Sequence, residues 1–292
     1  MQMTIFGCGY SGRAIASAAH ERGASVTGTA RTGEKAGFLA SIGIRGGVFD
    51  GESLDNALQS RLFDTTHLVQ SIPPSPAGDP LLKLVAGRLK AICPKLEWIG
   101  YLSTVGCYGD HGGAWVDEEN ECHPPPGRSQ IRMESENAWT EEGHETGLPV
   151  AVLRLAGIYG PGRNAFVNLA RGTARRIIKK DQIFNRVRVE DIADTTLFLA
   201  QEQQGGLFNV SDNEPAPAHH VIEEAARLMG VEPPPEEPFE NALMSPMARS
   251  FYSANKRVSN RAIRQRGYVF HYPEYRMSLR QLWQSGSWNA EI

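Results

Sequence analysis

Gly7-Cys8-Gly9-Tyr10-Ser11-Gly12 constrains the fold of this chain more than any other segment. A β-rich run over residues 4–6 leads directly into it, and a helical pattern over 11–22 leads out, with Ala14, Ile15, Ala18 and Ala19 on one face. In that setting each glycine has a separate role. Gly7 allows the tight turn, Gly9 lets a pyrophosphate approach the backbone, and Gly12 lets the helix pack closely on the strand. The helix start then offers N–H groups and a partial positive charge to phosphate oxygens. Tyr10 and Ser11 lie at that start and join the three glycines as candidate cofactor contacts. A tight turn that holds no ligand is the plain alternative.

The alternation of strand and helix continues through the first half. Residues 25–30, 47–49, 66–72, 96–103 and 150–156 read as strands, and Pro73-Pro74 ends the fourth of the series because proline cannot continue a central strand. Asp79-Pro80 reads as an N-cap and first-turn pair opening a helix over 81–92. Residues 106–127, rich in Gly and Pro, read as a loop, and 129–142 as a helix. Further on, 166–178 and 191–201 read as helices, 207–210 as a short strand and 233–238 as a surface loop. The basic stretch 249–265 reads as a solvated face, with anion binding as the alternative.

This order predicts an α/β protein: a doubly wound, parallel-sheet Rossmann fold with a smaller C-terminal substrate lobe. A length of 292 residues suits one large domain with an appended lobe. The expected division gives 1–160 and 187–210 to a dinucleotide-binding core, and 161–186 and 211–292 to the lobe.

About 20 residues past the glycines, dinucleotide binders that use NAD carry an acid for the ribose 2′-hydroxyl. Here the stretch is Gly28-Thr29-Ala30-Arg31-Thr32, with no acid before Glu34. A guanidinium can bind a 2′-phosphate that a carboxylate would repel, so Arg31 points to NADP rather than NAD. Asp50 is open between accepting from the adenine amino group and closing a turn. Ser71 and Ser103, at the ends of the fourth and fifth strands, are further cofactor candidates.

A formal net charge of −3 gives no electrostatic footprint for nucleic acid. The apolar runs are strand-length, far short of a membrane span. Cys8, Cys93, Cys107 and Cys122 show no CxxC spacing, so no metal site is expected. Scattered thiols without an export signal lead to an expectation of the cytoplasm.

Several segments in sequence carry a resemblance. Leu102-Ser103-Thr104-Val105-Gly106-Cys107-Tyr108-Gly109 is followed by Arg154-Leu155-Ala156-Gly157-Ile158-Tyr159-Gly160-Pro161-Gly162-Arg163, then by Arg188-Val189-Glu190-Asp191-Ile192-Ala193 and Phe208-Asn209-Val210-Ser211-Asp212. With the glycine loop, these resemble the extended short-chain dehydrogenase/reductases, the NAD-dependent epimerase/dehydratase group, over roughly residues 3 to 215. Among these the chain looks most like the atypical branch of NAD(P)-binding proteins. The resemblance implies a small polar, nucleotide-sugar-like substrate bound between core and lobe. It also implies a homodimer, and a hydroxyl at Thr104 that bonds the substrate carbonyl. A hydroxyl there can donate to a developing oxyanion, or it can close its own strand end.

The family's Tyr-x-x-x-Lys pair is missing. With Glu136 as anchor, Arg128 stands at the Tyr position and Arg132 at the Lys position. No shift of register restores the pair: there is no Tyr between Tyr108 and Tyr159, and no Lys between Lys95 and Lys179. A guanidinium stays protonated up to a pKa above about 12, so it is a poor acid or base near neutrality. Arg132 is left to hold a ribose or an anion. Tyr108, His111, His123 and Cys107 lie in the loop that could supply another proton donor, with Tyr108 the leading candidate. Two classes of function follow: an NADP-dependent oxidoreductase or epimerase-like enzyme with a rebuilt acid–base group, or a non-catalytic NADP-binding sensor.

Overall fold

The structure, a computed structural model, describes residues 1–290. The chain divides into two compact units. The first holds residues 1–107, 124–154 and 192–208, and the second 108–123, 155–191 and 209–292.

The first unit is organised on a seven-stranded sheet of β1 (Gln2–Phe6), β2 (Ser25–Ala30), β3 (Arg45–Val48), β4 (His67–Gln70), β5 (Trp98–Thr104), β6 (Val150–Leu155) and β7 (Gly206–Val210). Their order across the sheet is β7-β6-β5-β4-β1-β2-β3, and all are parallel. β1 is central, with Ile5 beside Gly28 of β2 and Val69 of β4. The chain therefore runs outward from β1 to one edge and then returns to build the other side. Such a reversal leaves a crevice at the carboxyl ends of the middle strands, directly beyond Phe6. The central strands are buried on both faces, which explains their near-continuous apolar character. Trp139, Tyr101, Phe6 and Leu62 lie in the core packed against the sheet.

α1 (Tyr10–Glu21), α2 (Gly33–Ser41), α3 (Asn56–Phe63) and α4 (Arg128–Thr146) belong to this unit. Asp79 caps as expected, accepting from Leu81 N and Leu82 N at 2.9 Å each while Gln70 Nε2 holds its other side. The helix it was expected to open is not continuous. Gly87 takes a left-handed φ of 66° and splits it into single turns at Leu82–Val85 and Leu89–Ile92.

The second unit has its own core of Phe166, Tyr275, Leu279, Leu282 and Ala225. Two sequence expectations fail here. Residues 166–178 are not one helix: the helix is Ala165–Ala170, Gly172 turns the chain with φ 65°, and Arg176–Ile178 is a strand. Residues 233–238 are not all loop, because Glu236–Pro238 pairs in parallel with that strand. The β-branched Ile177 and Ile178 suit the paired state, and residues 60 positions away supply the partner that local pattern cannot reveal. Likewise Trp115–Val116, inside the expected loop 106–127, pairs with Arg257–Val258.

Candidate functional site

The loop after β1 is built almost wholly from backbone. Cys8 N donates to Thr29 O at 2.8 Å, and Ser71 N to Phe6 O at 2.9 Å. Gly7 N donates to Thr29 Oγ1 at 3.0 Å. Thr29, which sequence reasoning passed over, thus pins the loop to β2 through both its carbonyl and its hydroxyl. Gly7 has φ 84°, and a Cβ there would lie 2.8 Å from Ile72 Cγ1. A Cβ on Gly12 would lie 2.6 Å from the carbonyl oxygen of Gly7. Gly9 differs from both: a Cβ there would meet nothing within 4 Å, so its backbone faces open space. Two glycines are required by packing, and the third leaves a bare approach to the start of α1. No side chain caps that helix, and no acid lies in its first turn. Open backbone at Gly9, a helix start with no side-chain cap and a first turn without an acid together fit a pyrophosphate.

Cys8, inside the loop, is not a reactive group. It packs against Gly28, where a Cβ would lie 2.8 Å from its Sγ, and burial pushes its thiol up to about 12. Cys93 and Cys107 are raised to about 12 for the same reason. Among the described residues no group of His, Cys, Asp or Glu is placed to hold a metal ion.

Arg31 is exposed just beyond β2, and Thr32 after it caps α2. Arg13, which follows Gly12 and was not singled out from sequence, lies over the Phe38 ring at 5.5 Å with its Nε buried and without a hydrogen-bond partner. The signal that could have found it is its place one residue past the last glycine. Asp50 closes a turn, its Oδ1 accepting from Glu52 N at 2.9 Å. Ser71 is half-buried beyond β4.

The end of β5 is built from side chains instead. Ser103, expected on the cofactor side, is buried, and its hydroxyl donates to Glu136 of α4. Glu136 also accepts from two nitrogens of Arg154 of β6: Nε at 3.2 Å to each oxygen and Nη2 at 2.8 Å. The two charged side chains are 5% and 6% exposed. Cys107 Sγ donates to the same carboxylate at 3.4 Å. Sequence reasoning used Glu136 only to set a register and missed this cluster, because nothing local pairs residues 136 and 154.

Thr104, the last residue of β5, accepts from Gly106 N through Oγ1 at 3.1 Å, which leaves its hydroxyl proton to donate. A Cβ on Gly106 would lie 3.3 Å from Thr104 Oγ1 and 2.9 Å from Ser129 Oγ. Two hydroxyls therefore converge on one bare α-carbon, and Ser129 is a second residue that sequence reasoning passed over. Arg132 Nη1 donates to Leu102 O at 2.7 Å, tying α4 to β5, and its guanidinium lies 6.0 Å from the Tyr101 ring. Arg128 is exposed at the start of α4.

Tyr108 belongs to the second unit and is fully buried. Its hydroxyl donates to Asn209 Oδ1 at 2.9 Å, and Asn209 Nδ2 in turn donates to Ser259 O at 3.0 Å. The phenol is 0% exposed and bonded inward, whereas the sequence leads one to expect an open loop position. In the Gly160–Arg163 turn Gly162 N donates to Trp288 O at 2.9 Å. Among the described residues no helix is long and apolar enough to cross a membrane.

No protein-family model matches the chain. It is 28% identical over 290 residues to Protein YeeZ of Escherichia coli K12, an alignment covering 94% of this chain and 97% of YeeZ. The solved structure of UDP-glucose 4-epimerase from Thermus thermophilus, in complex with NAD, superposes with a TM-score of 0.75 at 19% identity, covering 97% of this chain and 98% of that one, and so shares the fold. A functionally unknown conserved protein from Silicibacter pomeroyi superposes with a TM-score of 0.87 at 38% identity, covering 97% of this chain and 98% of that one. At that identity and coverage the chain belongs to the same family as the Silicibacter protein, and it has the fold of NAD-dependent epimerases and dehydratases.

Proposed function

We propose that the chain binds NADP(H) at the glycine loop and is an oxidoreductase or epimerase-like enzyme acting on a small polar carbonyl or alcohol. The observation that carries this reading is the loop itself: Gly7 and Gly12 are closed in by packing while Gly9 opens to space at an uncapped helix start. In this reading residues 1–160 and 187–210 serve the cofactor, and 161–186 and 211–292 form the substrate lobe. The Thermus epimerase was solved with NAD. Here Arg31 stands exposed where NAD binders carry an acid, and Arg13 follows the last glycine of the loop; both guanidiniums favour a 2′-phosphate.

When bound, a nicotinamide supplies or accepts the hydride. The chain's own residues have three tasks. Thr104 donates its hydroxyl proton to the substrate oxygen, and Ser129, on the other side of Gly106, is placed to do the same. Arg132 holds its charge on the carbonyl of Leu102, so α4 and β5 stay in register while negative charge develops. The Ser103–Glu136–Arg154 cluster fixes the same corner from beneath. Arg132 orients and stabilises but gives up no proton.

A second reading, a cofactor sensor without turnover, is favoured by one observation: Tyr108 and Ser103 are both committed to buried partners. Calorimetric titration with NADPH and NADH, followed by a carbonyl screen on the tighter complex, separates the two. Binding with turnover that Thr104→Val abolishes, while cofactor affinity is spared, supports the enzyme. Tight binding without turnover moves the conclusion to the sensor, and failure to bind either nucleotide overturns both.

A further inference from the structure

From Asn241 to Pro273 the chain carries Arg249, Lys256, Arg257, Arg261, Arg264 and Arg266 and no Asp or Glu, although the formal net charge of the whole is −3. Part of this charge is committed to backbone. Lys256 Nζ donates to Gly109 O at 2.8 Å, Arg249 Nη2 to Ala242 O at 2.8 Å, and Arg257 Nη1 to Gly113 O. Arg261 and Arg264 are exposed. They stand three residues apart on the helical turn Arg261–Gln265, a spacing that puts both on one face.

Both line a cavity of about 530 Å³ within the second unit, whose other walls include Asn213, Tyr268, Val269 and Phe270. That volume lies in the range of small-molecule sites. The apolar wall is held in advance of any ligand. The Asp191 carboxylate, itself buried, accepts from Tyr268 Oη at 3.1 Å, His271 N at 2.7 Å and Tyr272 N at 2.9 Å. The Tyr268 and Phe270 rings meet edge to face at 5.0 Å. Between these two buried residues Val269 is 78% exposed. Asn213 Oδ1 accepts from Asn260 Nδ2 at 2.8 Å, which leaves its own NH₂ as a donor. Asp117 lies 3.5 Å from Arg261, with both side chains partly exposed. Such a surface pair is weak, and a dianion can displace it.

Two neighbouring guanidiniums and an amide beside an exposed apolar lip complement a ligand with an anionic head and an apolar body. We propose that this cavity binds a small organic phosphate, a phosphate monoester on an apolar or aromatic body. Arg261, Arg264 and Asn213 take the phosphate, and Val269 and Phe270 take the body. The proposal rests on the second unit alone and is independent of any nicotinamide at Gly9.

The test uses the full-length chain labelled with ¹⁵N and titrated separately with phenyl phosphate, inorganic phosphate and benzoate, read at the Gly267 and Val269 amides. Phenyl phosphate is expected to saturate these shifts at least about tenfold more tightly than inorganic phosphate, a difference of about 1.4 kcal/mol. Arg264→Ala is expected to weaken it at least about fivefold, in keeping with loss of one charge-assisted contact. Val269→Asn is expected to remove the advantage of phenyl over inorganic phosphate. Added NADPH is expected to leave these shifts unchanged. Both substitutions are at exposed positions, and an unchanged unfolding temperature shows that the variants fold. Unmoved Gly267 and Val269 amides, or undiminished binding in Arg264→Ala, would overturn the proposal. Benzoate binding as tightly as phenyl phosphate would overturn the phosphate assignment.

Discussion

The ends of β1 and β5 belong to one sheet and are built in opposite ways. Beyond β1 the loop is held by backbone atoms, with Thr29 as its main side-chain contact. Beyond β5 the corner is held by a buried carboxylate that gathers Ser103, Cys107 and Arg154. A site made of backbone constrains sequence through what must be absent, namely a Cβ. A site made of side chains constrains sequence through pairs that are distant along the chain. The first kind leaves a local signature, and the second does not.

The largest expected effect is at β5. Glu136→Ala leaves the Arg154 guanidinium, 6% exposed, without its carboxylate. Removing one partner of a buried pair costs about 3–5 kcal/mol. Chemical denaturation is expected to show that loss. The combined variant Glu136→Leu with Arg154→Met is expected to recover most of it, because no buried charge is then left uncompensated. A single variant as stable as the unmodified protein would show that water already reaches this corner.

The matching change at β1 is Gly12→Ala. The added Cβ meets the Gly7 carbonyl oxygen at 2.6 Å, against backbone that cannot swing aside. Overpacking of this kind costs about 1–3 kcal/mol. NADPH affinity is expected to fall with stability, because the same shift displaces the first-turn amides. Gly9→Ala is the control, since its Cβ meets nothing in the protein. It should leave the unfolding midpoint nearly unchanged while weakening NADPH. If Gly9→Ala and Gly12→Ala weaken stability equally, the separation of their roles fails.

That asymmetry also explains how much could be read in advance. The parallel sheet, its strand sequence and the glycine loop were legible, because period-two and period-3.6 patterns and a bare-backbone motif are local. So was the Asp79 cap. The single helix expected over 166–178 failed because the fate of Ile177 depends on pairing with residues near 237. Tyr108 reads in the letters as a loop residue, whereas its buried bond to Asn209, about a hundred positions away, leaves no local trace. The exchange of Tyr and Lys for Arg128 and Arg132 was visible in the letters, whereas the fixing of Arg132 to Leu102 O was not.

Arg31→Ala tests a contact at the open end of the loop. Arg31 is exposed, so stability is expected to stay within the small range of surface substitutions, about 0.5 kcal/mol. The NADPH-to-NADH preference is expected to fall about tenfold, equivalent to about 1.4 kcal/mol, the scale of one charged contact to the 2′-phosphate. Equal binding of both nucleotides before the substitution would remove Arg31 from cofactor choice and leave Arg13 as the group to change next.

The smallest effect sharpens the contrast between satisfied and unsatisfied carboxylates. Glu136 has both oxygens bonded to Arg154. Asp212, in the second unit, is equally buried, but its Oδ2 has no hydrogen-bond partner. Burial raises its carboxyl well above the ordinary range, and the nearby Arg186 only partly opposes this. A raised folded-state value means that the folded chain keeps this proton at a pH where the unfolded chain has lost it. The stability it contributes is therefore fully present below the ordinary carboxylate range and is lost as pH rises toward the folded-state value. Asp212→Asn cannot titrate. The unfolding temperature of the unmodified protein minus that of the variant is thus expected to decrease as pH rises through and above the ordinary carboxylate range, near about 4. A flat difference over that range would mean that water reaches Oδ2 and lets the group ionise as it does in the unfolded chain.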